Sequence, residues 1–179
     1  MIYIFLAEGF EECEALAPID ILRRANIDIK TVGIGSKTVK GSHNIPIVCD
    51  LEETELTHQN LEGIILPGGM PGTLNLENNE TVQKFIDIAN EKGLIIGAIC
   101  AAPSILGHKG ILKGKNATCF TGFEKDLYGA NIVNSPAVKD GNIITAYGAG
   151  AAFEFGFLIL EALKGKEKSQ DMKKQMRYI

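Results

Sequence analysis

Two kinds of apolar run alternate along this chain. Short, continuous, largely β-branched blocks recur at Ile2 to Ala7, Ile29 to Ile34, Ile64 to Pro67 and Leu94 to Ile99. Such blocks predict strands buried on both faces. Between them the apolar positions fall at helical spacing. Ala15, Leu16, Ile19, Ile21, Leu22 and Ala25 predict a helix ending near Asn26, and Val82, Phe85, Ile86 and Ala89 a second from Thr81 to Asn90. Ala101-Ala102-Pro103 reads as the first turn of a third. Gly148 to Leu163 reads as a fourth, packed through Phe153, Phe157, Leu158 and Leu160.

Turn chemistry supplies the remaining elements. Lys37 to Val48 predicts a hairpin turning at Gly41-Ser42-His43-Asn44, with Pro46 marking its return strand as an edge. Ala137 to Thr145 predicts a second hairpin around Asp140-Gly141. Ala117 to Phe120 reads as a short strand, Phe123 to Tyr128 as a short helix, and the Lys-rich segment from Lys166 to Arg177 as a solvated terminal helix. Alternating strands and helices imply right-handed βαβ units. The expected fold class is therefore α/β, a mostly parallel sheet with helices on both faces.

Ligands in such sheets bind beyond the carboxyl ends of the strands. Three features follow strand ends here: Glu8 to Glu14, the turn Gly68-Gly69-Met70-Pro71-Gly72, and Cys100. If those strands are neighbours, the three features share one pocket. Cys100 sits where a strand becomes a helix, the layout of a nucleophile elbow with Cys in place of Ser. Backbone N–H groups at that joint are expected to lower its pKa, and Ala98, Ala101 and Ala102 leave room above the sulfur. The alternative is a buried, inert packing cysteine. Glu11 and Glu12 read as ordinary compensation of a helix dipole. Glu14 leads into the apolar face of Ala15 and Ala17, so it is expected to point toward the sheet edge, stay protonated and act as general acid beside the thiol. Backbone N–H groups of the glycine turn and of Ala101 would serve an oxyanion, although two glycines also suit a plain tight turn.

Composition narrows the class further. The 179 residues carry 45% hydrophobic and 22% charged side chains, as one ordinary globular domain spanning 1–179 would. A net charge of −4 argues against nucleic acid or an anionic membrane as partner. Without a basic leader or an apolar run of spanning length, the expected location is cytoplasmic. The four cysteines lack paired metal-type spacing and are expected to be free thiols, with no metal and no cofactor.

Four stretches together resemble the ThiJ/PfpI superfamily, and within it the branch of the parkinsonism-associated protein deglycase. They are Ala7 to Glu14, Leu66-Pro67-Gly68-Gly69, Ala98 to Pro103, and Gly148 to Phe155, in the family's order. The resemblance implies a flavodoxin-like three-layer sandwich and a homodimer. It implies that Cys100 is the reactive, oxidation-sensitive cysteine, that Glu14 hydrogen-bonds it, and that the Gly69 and Ala101 amides form the oxyanion site. The partner it implies is a small-molecule carbonyl substrate such as a 2-oxoaldehyde, or an oxidant; the reaction is of the glyoxalase III or deglycase type. A non-enzymatic redox sensor or chaperone acting through oxidation of Cys100 is the alternative. His43 falls in the hairpin turn that, in the family, reaches the partner subunit's site, so a contribution in trans is set against a solvated turn residue. Ala101 replaces the His that follows the nucleophile in peptidase members, and no His lies beyond His108 for an amidotransferase pair. Phe120 falls where the parkinsonism-associated protein has a His.

Overall fold

A seven-stranded sheet forms the middle layer of the computed structural model, which describes residues 1–178; Ile179, the end of the expected domain, lies outside them. In chain order the strands and helices are β1 (Ile2–Leu6), α1 (Glu12–Arg24), β2 (Ile29–Gly33), β3 (Thr38–Lys40), β4 (Pro46–Val48), β5 (Leu51–Glu52), β6 (Gly63–Leu66), α2 (Gly72–Glu77), α3 (Glu80–Glu91), β7 (Ile95–Ile99), α4 (Pro103–His108), β8 (Asn116–Ala117), β9 (Asn131–Ile132), β10 (Ala137–Asp140), β11 (Ile143–Ala146), α5 (Ala152–Lys164) and α6 (Lys166–Gln175). The sheet order is β10-β11-β7-β6-β1-β2-β5, parallel throughout except for the antiparallel β10–β11 hairpin at one edge. This is the α/β arrangement expected.

The two faces of β1 divide the core. Side chains alternate across a strand, so Ile2, Ile4 and Leu6 face one way and Tyr3, Phe5 and Ala7 the other. The first set packs with α1 and α5 through Ile21, Leu22, Phe155 and Ile159, all buried. The second packs with α3 and α4 through Val82, Phe85, Ile86 and Leu106. Tyr3, Phe5 and Phe85 form an edge-on aromatic cluster with centroids 5.6–6.3 Å apart. Gly156 lets α5 approach α1 closely: a Cβ there would lie 2.7 Å from Ile21 Cδ1 and 3.0 Å from Pro18 Cα.

Several elements differ from expectation. β5 and α2 are additional. The strand expected over Ala117 to Phe120 shrinks to β8, which pairs with β9 outside the main sheet, because Thr118 and Phe120 spend their backbone N–H groups on Thr145 Oγ1 and Cys100 O. Phe153, expected in the core, is 46% exposed and stacks on Tyr178 instead. The terminal helix is only partly solvated: Ser169 and Met172 are buried, and Ser169 Oγ donates to the Phe157 carbonyl at 2.9 Å.

Candidate functional site

Because β7, β6 and β1 are consecutive in the sheet, the loops after their carboxyl ends meet at one place. Cys100 directly follows β7 with φ of 65°, a left-handed backbone that costs an L residue on the order of 1–2 kcal/mol. Two backbone hydrogen bonds hold it there. Its N–H donates to the Ala146 carbonyl at 2.9 Å, and its carbonyl accepts the Phe120 N–H at 2.8 Å. The elbow throws the half-buried thiol toward the backbone N–H groups of Ala101 and Gly69. Gly69 takes φ of 90° in the turn after β6, which turns its amide inward.

Glu14 lies on the first turns of α1 and is 1% exposed. Its Oε2 accepts the Gly68 N–H at 2.9 Å, the Ala149 N–H also donates to the carboxyl, and the remaining hydrogen bond is to the Cys100 side chain. Gly68 leaves no room for a side chain, since a Cβ would lie 2.6 Å from both Cys100 Cβ and Glu14 Oε2. Burial pushes the Glu14 carboxyl up to about 7. The expected low pKa of Cys100 is overturned. Burial first, then the Glu14 charge and hydrogen bond, push the thiol up to about 12, against the opposing pull of the Ala101 and Gly69 amides. A six-residue α4 starting only at Pro103 is too short and too late to reverse this. Thiol and carboxyl therefore titrate as one unit, in which losing the Glu14 charge is what makes a Cys100 thiolate accessible.

Beside this pair the N-terminus of α1 holds a second cluster. Glu11 is the N-cap, accepting the Glu14 N–H at 2.7 Å, as dipole compensation requires. Glu12 does more than the dipole reading allows. It is 4% exposed and accepts the His43 N–H at 2.8 Å, the His43 ring Nδ1 at 2.8 Å, the Ser42 hydroxyl at 3.3 Å and the Ile45 N–H at 3.4 Å. It pins the turn of the β3–β4 hairpin onto α1, a long-range contact that no local pattern reveals. The His43 hydrogen bond holds Glu12 below the usual carboxylate value despite its burial, and Glu12 raises His43. Glu11, Glu12 and His43 bring three ligand-type atoms within 4.8 Å of one another among the described residues, but each already has the protein partners just given. The His43 side chain is otherwise 69% exposed.

The predicted Cys100, Glu14, Gly69 and Ala101 thus converge, and His43 stands apart on the hairpin turn. Reasoning from residues alone offered the glycine-turn amides to an oxyanion and missed that the Gly68 N–H holds Glu14; it also missed the Ala149 amide, whose one signal was the small Gly148-Ala149-Gly150 run. His108 bonds Glu77 and packs on Tyr128 at the end of α4, and Phe120 occupies the strand-like segment beside the thiol. Cys49 and Cys119 are buried, and burial pushes both thiols up to about 11.

The model of the DJ-1/PfpI family matches residues 1–162. Protein dj-1beta of Drosophila melanogaster is 34% identical over 174 residues, covering 96% of this chain and 93% of that protein. A Caenorhabditis elegans protein named glutathione-independent glyoxalase DJR-1.2 is 30% identical over 170 residues, covering 94% and 91%. The crystal structure of a DJ-1 superfamily protein from Salmonella typhimurium superposes with a TM-score of 0.94 at 33% identity, covering 99% of this chain and 98% of that one. No helix among the described residues is long and apolar enough to cross a membrane. With its family motifs matched across the sheet and the elbow, the chain belongs to the DJ-1/PfpI family.

Proposed function

We propose that this chain is a cofactor-independent enzyme that converts 2-oxoaldehydes such as methylglyoxal to 2-hydroxy acids through Cys100. The observation that carries the reading is the buried Glu14 carboxyl on the Cys100 side chain, with the Gly69 and Ala101 amides converging on the same sulfur. The name of the C. elegans relative, a glutathione-independent glyoxalase, agrees with it.

In this reading Glu14 takes the thiol proton and the thiolate adds to the aldehyde carbon. The new oxyanion is held by the two amides and then receives the Glu14 proton, giving a hemithioacetal. Glu14 next removes the proton on that carbon, and the electron pair forms a carbon–carbon double bond as the ketone oxygen takes the charge; Glu14 returns the proton to the former ketone carbon while the hydroxyl proton passes to the neighbouring oxygen. A thioester of a 2-hydroxy acid results. Water displaces the thiolate, so one carbon is oxidised, its neighbour is reduced, and one water is added. A Glu14 value near 7 suits a group that must both take and give a proton at neutral pH. The setting is cytoplasmic, the acting form is a single domain in a homodimer, and the His43 turn of one copy faces the site of the other.

One observation favours a second reading. A buried, half-protonated Glu14 is also placed to donate a hydrogen bond to a sulfinate oxygen, which suits a sensor in which Cys100 is oxidised. Glu14→Gln separates the two. As an enzyme, the variant loses lactate formation from methylglyoxal by two orders of magnitude or more, about the contribution of a general acid–base group. As a sensor, it still forms sulfinate on peroxide treatment, read as a 32 Da mass gain on Cys100. Unchanged turnover in Glu14→Gln would overturn the enzyme reading.

A further inference from the structure

Next to the elbow lies a cavity of about 700 Å³ that the chemistry above leaves unused. Its walls include Phe120, Tyr147, Ile132 and Val133 beside the polar side chains of Thr121, Asn134 and Glu124. Three of these are unusually bare for their size: Phe120 is 51% exposed, Ile132 47% and Tyr147 39%. Large apolar side chains gathered around one concavity mark a ligand surface rather than scattered surface residues. The cavity adjoins the reacting pair through its own wall. The Phe120 N–H bonds the Cys100 carbonyl, the Ala149 N–H bonds the Glu14 carboxyl, and both residues line the cavity.

Gly148 stands between the cavity wall and the Glu14 carboxyl. A Cβ there would lie 3.3 Å from the Phe120 ring and 3.9 Å from Glu14 Oε1, filling the gap between aromatic wall and carboxyl. The one charged lining side chain is engaged locally, since Glu124 accepts the Gly122 N–H at 2.7 Å. Cys119, also on the wall, has its thiol pushed up to about 11 by burial and stays uncharged. A methyl group would touch little of the Phe120 and Tyr147 rings. A phenyl ring would remove apolar surface from water on both partners and stack against Phe120 or Tyr147.

We propose that the cavity is a subsite for the substituent of the 2-oxoaldehyde, and that the preferred substrates carry an aryl group. This rests on the reading of Cys100 given above, but the subsite has its own test. The neutral, unreactive ketols 2-hydroxyacetophenone and hydroxyacetone differ only in phenyl against methyl. Their binding to the intact chain is measured by NMR titration, alongside kcat/KM for phenylglyoxal and methylglyoxal.

The phenyl ketol should bind at least about tenfold more tightly than the methyl ketol, the discrimination an apolar pocket gives for a group larger than a methylene. Phe120→Ala and Tyr147→Ala should each reduce that ratio severalfold, and Phe120→Leu should restore part of it. The phenylglyoxal to methylglyoxal ratio of kcat/KM should fall in parallel. Both aromatic side chains are substantially exposed, so matching thermal melts will verify that the variants fold. Equal binding of the two ketols, or a preference untouched by Phe120→Ala, would overturn the subsite even if methylglyoxal is turned over. Tight, Phe120-dependent binding of the phenyl ketol without turnover of either aldehyde would uphold the subsite and remove the enzyme reading.

Discussion

Replacing Glu14 by Gln should change how stability depends on pH, and the structure sets the size of the effect. Glu14 is essentially buried and its folded value is about 7, raised from 4.5 mainly by desolvation. The folded chain therefore holds this proton more tightly than the unfolded chain. The stabilisation it provides is fully present below the unfolded value and is lost as pH rises through the folded one. A shift from 4.5 to about 7 corresponds to about 3 kcal/mol lost between pH ~4.5 and ~8. Gln keeps the volume and an oxygen for the Gly68 N–H, but it cannot ionise. The variant should lack this loss. Urea denaturation of both proteins across that pH range measures it, with the difference in unfolding free energy between variant and wild type swinging toward the variant by about 3 kcal/mol. In melting temperature the swing is about 10 °C for a chain of this size. Curves that stay parallel within about 0.5 kcal/mol would refute the claim that Glu14 is buried as a neutral acid.

The same pair governs reactivity. The carboxylate raises the Cys100 pKa, so Glu14→Gln should speed alkylation of Cys100 by iodoacetamide at neutral pH even while it abolishes turnover; a slower reaction would contradict the electrostatic account. Gly68→Ala would drive a methyl into Cys100 and Glu14 and should destabilise the fold by about 1–3 kcal/mol, visible in a thermal melt together with lost activity. Glu12→Ala strips the His43 and Ile45 N–H groups of their acceptor and should cost about 1–3 kcal/mol, with hydrogen exchange rising selectively in the hairpin turn. The Glu12–His43 pair also has a pH window. Glu12 is lowered, so its stabilisation is lost as pH falls below the usual carboxylate range; His43 is raised, so its share is lost as pH climbs above 6.5. Hairpin protection should be greatest between those limits.

How much of this was legible in the sequence depended on the range of the interaction. Buried parallel strands announce themselves because both faces are apolar, so β1, β2, β6 and β7 could be read within a residue or two, and with them the placement of Cys100 and Glu14 at one sheet edge. The two residues of β5 and the Gly- and Asn-containing α2 carry too little periodicity to be seen. Glu12 could not be told from its neighbour Glu11 by composition, because what buries it is a hairpin turn some thirty residues away. The Cys100 pKa was misjudged for a related reason. A thiol at a helix start suggests stabilised negative charge, yet desolvation and the nearby carboxyl of Glu14 outweigh two backbone amides once the loops close over them. Phe153 fitted the helical stripe of α5 but lies where that stripe emerges from the core.

The central claim is that Cys100 is a nucleophile toward a 2-oxoaldehyde. It is tested most directly by following carbon-13 methylglyoxal by NMR in the absence of glutathione, with the wild-type chain beside Cys100→Ala. The account predicts catalytic, many-turnover formation of lactate by the wild type and none above background in the variant. Lactate formation that survives Cys100→Ala, or a wild type no faster than the variant, would contradict it.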